Sequence, residues 1–184
     1  MDWLKKIPAV EKNGLKANRH ALNLSYMIMM AFLAGCSVYS FTGASIPPEA
    51  KTISITYFVN NADYVEPTLS ATITDALRDR FLSQTSLDLT QENGDLQIEG
   101  VITEYSTRPI AIQGNETAAL NRLTITVKVK FTNLVDPTKD FDQAFSRFED
   151  YPSNEDLSQV KNVLIPEITN NLVDDIFNKS VVNW

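Results

Sequence analysis

The stretch RLTITVKVKF, from Arg122 to Phe131, constrains the fold of this chain more than any other. Leu123, Ile125, Val127, Val129 and Phe131 lie on one side of an extended backbone, and Thr124, Thr126, Lys128 and Lys130 on the other. Successive side chains of a strand point to opposite faces, so this segment has one apolar and one polar face. Such a strand belongs to a sheet covered on one side only, its other side meeting water or polar surroundings. A sheet of that kind, with helices laid on the apolar face, makes a two-layer domain.

The neighbouring segments supply the other pieces. In KTISITYFVN, Ile53, Ile55, Tyr57 and Val59 alternate with Thr52, Ser54 and Thr56, which predicts a half-buried strand. VEPTLSATITDALRDRFLSQ repeats Leu69, Ile73, Leu77 and Phe81 every fourth residue, the stripe of an amphipathic helix. Pro67 suits its first turn, and Arg78, Asp79 and Arg80 read as a solvated face near its far end, where Arg also suits the helix dipole. GDLQIEGVITEY returns to alternation, with Leu96, Ile98 and Ile102 on one side and Gln97, Glu99 and Thr103 on the other. Gly100 interrupts it, at a bulge or where another element comes close. In DFDQAFSRFEDY, Phe141 and Phe145 are in phase and Phe148 is not, which predicts a bulge or an early exit. Asp136-Pro137 marks the preceding turn.

A final helix follows, with Ser153 and Asp156 placed like a capping box and Leu157, Val160, Leu164, Ile168, Leu172 and Ile176 as its stripe. Pro166 predicts a kink or a restart within it. The closing Trp184 is expected to dock on an apolar surface. The order β-α-β-β-β-α predicts an α+β two-layer sandwich. It has a four-stranded mixed, mostly antiparallel sheet with both helices on one face. The first crossover is expected to be right-handed, and the last three strands to form a meander. The open sheet face would present Thr52, Ser54, Thr56, Gln97, Glu99, Thr103, Thr124, Thr126, Lys128 and Lys130.

Charge divides the chain. Residues 1–35 carry Lys5, Lys6, Lys12, Lys16 and Arg19 against Asp2 and Glu11, a net +3, while the whole chain carries −7, so the remainder carries −10. A basic opening, an apolar run from Leu22 to Ala34 and the small Ala34 and Gly35 have the layout of a secretory signal, too short to span a bilayer. Leu33-Ala34-Gly35-Cys36 resembles the bacterial lipobox, in which the cysteine sulfur receives a diacylglycerol and the chain is cut before it. Cys36 is the only cysteine, so a disulfide framework is excluded, and a buried core thiol is the alternative. Multiple acyl chains anchor a protein stably where one does not. Ser37, rather than Asp, after the cysteine goes with outer-membrane sorting in the familiar Gram-negative lipoproteins. SVYSFTGASIPP lacks an acidic export tag, which favours the periplasmic face. The expected organisation is a signal at 1–35, a lipidated linker at 36–49 and one domain at 50–184.

Little catalytic chemistry remains available. The single histidine, His20, falls in the leader, so Ser-His-Asp and Cys-His sites and nearly every zinc site are excluded from the mature chain. Gly94, Gly100 and Gly114 are scattered and form no phosphate loop. A paired-carboxylate hydrolase would need a cleft that this length does not readily provide. A net −10 without a basic stripe opposes nucleic acid. No catalytic residue, metal or cofactor is expected beyond the lipid on Cys36.

LAGCSVYSFTGASIP, PTLSATITDALRDRFLSQTSL, GDLQIEGVITEY, NRLTITVKVKFTN and DIFNKSVVNW together resemble the LptE family of lipopolysaccharide-assembly lipoproteins, in its Bacteroidetes form. The resemblance implies an outer-membrane lipoprotein that plugs the LptD β-barrel, helps it fold and assists insertion of lipopolysaccharide into the outer leaflet. An accessory role in another envelope machine is the alternative, because fold alone does not choose. Within this reading, Arg108, Ile110, Arg122, Lys128 and Lys130 are the candidate contacts to lipopolysaccharide or partner, since cations, Arg above all, suit phosphate. The loop STRPIAIQGNETAA, with Arg108, Pro109, Ile110 and Ile112, is long enough to reach a partner. Against this, Lys128 and Lys130 also read as ordinary solubilising residues on an exposed strand.

Overall fold

The structure, a computed structural model, describes residues 46–110 and 119–182. Residues 33–36, Ile112 and Trp184, each singled out above, lie outside the described residues. The elements run β1 (Thr52–Ile55), β2 (Val59–Asn60), α1 (Leu69–Gln84), β3 (Asp88–Thr90), β4 (Leu96–Ile110), β5 (Leu120–Asn133), β6 (Phe141–Pro152) and α2 (Leu157–Phe177), with a π-helical turn at Asn178–Val182. The sheet order is β3-β1-β4-β5-β6, and β2 also pairs with β4. β1 is parallel to β3 and β4, while β4, β5 and β6 form the antiparallel meander.

The α+β class is as expected, but among the described residues the sheet has six strands rather than four. β2 and β3 span two and three residues, too few for alternation to register. The first strand also ends sooner than its pattern suggests. After Ile55 the chain leaves the sheet and re-enters one register out of phase. Phe58 is fully buried, whereas Tyr57 and Val59 are 56% and 55% exposed. Gly100 makes room for this: a Cβ there would sit 2.2 Å from the Phe58 ring. Close approach, not a bulge, therefore explains Gly100. The bulge lies three residues on, where the register shifts between Ile102 and Glu104 and leaves Thr103 unmatched.

β6 keeps unbroken register with β5 from Phe141 to Pro152, contrary to the expected bulge. Phe148 is out of phase because its side chain belongs to the open face, in register with Thr124. Arg108 and Ile110 are likewise strand residues, paired with Arg122 and Leu120, where a loop was expected.

Ser54, placed by alternation on the open face, is 5% exposed. The cause is topological. β3 and β4 flank β1 and all three run parallel, so residues 91–95 cross β1, and Gly94 N–H donates to Ser54 Oγ at 3.3 Å. Asp95 then closes the strand's start, its carboxylate accepting from Lys51 N, Thr52 N and Thr52 Oγ1 at 2.8–2.9 Å. Those bonds, the one from the Lys51 amide first, hold the Asp95 carboxyl below its ordinary range.

Leu69, Ile73, Leu77 and Phe81 of α1 are fully buried as their spacing predicts, each contributing on the order of 1.5–3 kcal/mol. They join the inner faces of β1, β4 and β5 and the stripe of α2 in one core. Arg78, expected in solvent, donates to Ile55 O at 2.8 Å. Arg80 pairs with Asp174 and Phe81 meets Phe177 edge-on at 5.0 Å, joining the two helices. α2 does not restart at Pro166 but runs as one helix. Pro166 and Asn162 are both exposed, so the carbonyl that loses its helical partner faces water. Its N-cap is Asp156, which accepts from Ser158 N at 2.8 Å. Ser153 instead extends the β5–β6 ladder, its N–H donating to Ala119 O.

Glu66, 5% exposed, receives Lys161 Nζ at 2.8 Å and Thr68 Oγ1 at 3.2 Å, tying the approach to α1 onto α2. The bond from Lys161 lowers the Glu66 pKa. A lowered folded pKa contributes stability above the unfolded value, and that contribution is lost as pH falls through the folded pKa. Glu66→Gln should therefore be less stable than the parent at pH 7, with the gap closing as pH drops below 4.5. Urea unfolding across that range is the measurement, and a gap independent of pH would refute it.

Candidate functional site

Both helices pack beneath the sheet, and among the described residues the face opposite them carries no helix. Its upper part is built from rows that cross β4, β5 and β6. One row is Arg108, Arg122 and Asp150; the next is Ser106, Thr124 and Phe148; then come Glu104, Thr126 and Ser146. Below the bulge follow Val101, Lys128 and Ala144, then Glu99, Lys130 and Asp142. Alternation puts all these side chains outward because Leu123, Ile125, Val127, Val129 and Phe131 are needed in the core.

The cations of this face are not bare. Arg122 grips Asp150 with both ends of its fork, Nε to Oδ1 at 2.7 Å and Nη2 to Oδ2 at 2.9 Å. Its guanidinium carbon also lies 3.5 Å from the centre of the Phe148 ring, a cation–π contact. The paired bonds raise the Arg122 pKa and lower that of Asp150. Lys128 Nζ lies 3.0 Å from Asp142, Arg108 lies 3.6 Å from Glu104, and Lys130 sits in register between Glu99 and Asp142. Glu104 accepts from Ser106 Oγ at 2.7 Å and Thr126 Oγ1 at 2.9 Å. These bonds, the Ser106 one foremost, hold its carboxyl low. Thr126 and Ser146 hydroxyls share a further bond at 2.9 Å.

The face is thus a mosaic in which each positive side chain has a negative neighbour. Apolar patches interrupt it at Phe148, 48% exposed, and at Tyr57 and Val59. The latter two border a groove of about 390 Å³ with Glu99, Lys128, Lys130 and Asp142. Such a surface can exchange its internal ion pairs for hydrogen bonds to a polar wall. A phosphate at Arg122 would compete with Asp150.

A family model described as LptE, lipopolysaccharide-assembly, matches residues 50–180. The chain belongs to the LptE family. Among curated proteins none matches its sequence. Of solved structures, a minor lipoprotein from Acinetobacter baumannii is 13% identical, with 68% of this chain and 90% of that one covered and a TM-score of 0.45. Rare lipoprotein B from Shewanella oneidensis is also 13% identical, covering 68% and 92%, with a TM-score of 0.45. PelC from Paraburkholderia phytofirmans, a dodecamer, is 11% identical, covering 70% and 92%, with a TM-score of 0.39.

In this LptE chain the open face brings Arg108, Arg122, Lys128 and Lys130 together, and Ile110 stands at its upper rim opposite Leu120. Sequence reasoning missed their partners Asp142 and Asp150, and Phe148. The signal for Phe148 was its break in phase, which marks a residue of the other face. Asp142 and Asp150 share that phase with Phe148. Asp140, in contrast, is a turn residue whose carboxylate accepts from Asn133 N at 2.7 Å. Among the described residues no helix is long and apolar enough to cross a membrane.

Proposed function

We propose that this LptE chain works by contact rather than by turnover, as an outer-membrane lipoprotein held by lipid on Cys36 at the periplasmic side. There it plugs an LptD-type β-barrel, helps that barrel assemble and assists insertion of lipopolysaccharide into the outer leaflet. The observation that carries this reading is the charge-matched open face of β4, β5 and β6. A plugged barrel has a polar interior, and a polar face with its ion pairs in place can meet it without burying a lone charge. Family membership supports the same role.

Purification of the tagged chain from its native membranes tests it. One large outer-membrane barrel at equal stoichiometry is expected, and Cys36→Ser should lose both the membrane association and the barrel. A different set of envelope proteins would instead favour the accessory role in another machine. Lipopolysaccharide contact is tested separately with the purified chain. Charge reversal at Arg122, Lys128 and Lys130 should weaken binding of lipopolysaccharide, whereas Asp150→Asn, which frees the Arg122 fork, should strengthen it. Binding unchanged in both variants would remove these residues from the lipopolysaccharide site.

A further inference from the structure

Above Ile102 the sheet narrows to three strands, and β4 becomes its edge. β1 pairs with β4 at Leu96, Gln97 and Ile98, and β2 at Val101 and Ile102. Among the described residues no strand pairs with that side of β4 from Thr103 to Ile110. Which backbone groups face the open side follows from the strand's geometry. Ile98 and Ile102 point into the core, and their carbonyls accept from Thr56 N and Asn61 N, on the side away from β5. Residues on one face of an unbroken strand direct their N–H and C=O to the same side; the bulge at Thr103 breaks β4 but not β5, and Ile102, Tyr105 and Thr107 pair with its alternate residues Val127, Ile125 and Leu123. Tyr105 and Thr107 share that face, opposite the buried Ile125 and Leu123, so their backbone groups point out of the edge. Pro109 belongs to the same set, and a proline is tolerated there because the missing N–H would face outward.

A groove of about 770 Å³ lies along this edge, walled by Tyr64 on one side and Leu157 on another. Tyr64 stacks on Tyr105 with ring centres 5.7 Å apart. The charges around it are lopsided. Arg108 lies beside Glu104 and Lys161 is engaged by Glu66. Asp63 in the groove, and Glu155 and Asp156 just ahead of Leu157, then leave the rim acidic.

We propose that this edge docks an extended, basic segment of a partner protein, which adds as a further strand beside Thr103–Pro109. The backbone groups of Tyr105 and Thr107 supply the ladder, Tyr64 and Leu157 receive its apolar side chains, and Asp63, Glu155 and Asp156 meet its Lys or Arg. A second copy of this chain fits poorly, because pairing β4 with β4 would set two acidic rims together in chains whose part beyond residue 35 carries −10. The inference does not depend on the role proposed for the open face, although the groove borders that face and shares Glu104, Ser106 and Arg108 with it.

The probes are two nine-residue blocked peptides, one alternating valine with lysine and one alternating valine with glutamate, titrated onto the full chain. The lysine peptide should saturate and slow hydrogen exchange at the Tyr105 and Thr107 amides, and the glutamate peptide should not. Thr107→Pro removes an outward N–H without touching the β4–β5 ladder, so it should weaken binding by up to about tenfold. Thr107→Val, which keeps that N–H, should bind like the parent. The double variant Asp63→Lys, Glu155→Lys should also lose the lysine peptide, and it carries the test if Thr107→Pro does not fold. Equal binding of both peptides, protection confined to β6, or full binding by a folded Thr107→Pro chain would overturn the proposal. So would a dimer of the free chain that Thr107→Pro dissolves, since the edge would then belong to a second copy.

Discussion

Replacing Phe58 with alanine should destabilise the domain by about 4 kcal/mol, within the range for deleting a buried aromatic side chain. Tyr57→Ala, one residue away, should change stability by no more than about 0.5 kcal/mol. Phe58 is completely buried and lies over Gly100, while its N–H donates to the buried Thr74 hydroxyl at 3.1 Å. Tyr57 is mostly exposed. Alternation alone ranks the two the other way, so the comparison tests the phase change between β1 and β2 directly. A double-mutant cycle sharpens it. Gly100→Ala forces a methyl into the Phe58 ring and should be costly by itself, but much less so in the Phe58→Ala background, where the ring is gone. Urea midpoints of the four chains give the answer. Additive effects, or a larger loss for Tyr57→Ala, would place Phe58 outside the core.

Gly94→Ala should be nearly as severe, at about 3 kcal/mol, the upper end for overpacking. In a domain of this size that lowers the melting temperature by on the order of 6–12 °C. A Cβ at Gly94 would lie 2.5 Å from Ser54 N and 2.7 Å from both Ile53 C and Leu96 O. These are backbone atoms of β1 and β4, which cannot swing aside as a side-chain tip can. Either the 91–95 crossing lifts off β1, breaking the Gly94–Ser54 bond and the Asp95 cap on Lys51 and Thr52, or the strands part. A melt within about 1 °C of the parent would show that the crossing is looser than its contacts imply.

These two glycines also show where the sequence stops being informative. Long elements were readable because their patterns repeat: the alternation of β5 and the four-residue stripe of α1 each place every core residue where the structure has it. The order of the meander followed from connections that hold no helical stripe. What escaped was local and tertiary. Two-residue β2 and three-residue β3 carry no period, and the phase change before Phe58 depends on a space left by a glycine 42 positions further along. Ser54 is buried by a crossing segment that only the strand order reveals. The open face was legible as polar, including Lys128 and Lys130, but Arg108 was expected in a loop, and the neutrality of the face was not legible. Asp142 and Asp150 sit in a strand whose weak apolar signal hid which of its residues point outward, so the ion pairs could not be drawn. The free edge of β4 depends on where β1 and β2 end, which no periodicity reports.

The position of β1 sets the sequence of events as the chain becomes available. Its neighbours on either side come from Asp88–Thr90 and Leu96–Ile98. The first strand of the domain is therefore one that cannot be seated between its neighbours until some 40 further residues are available. β4, β5 and β6, in contrast, are consecutive and can zip locally. Until then β1 has no strand on either side, whatever α1 already covers. An apolar strand left unpaired in this way is open to aggregation until its neighbours arrive.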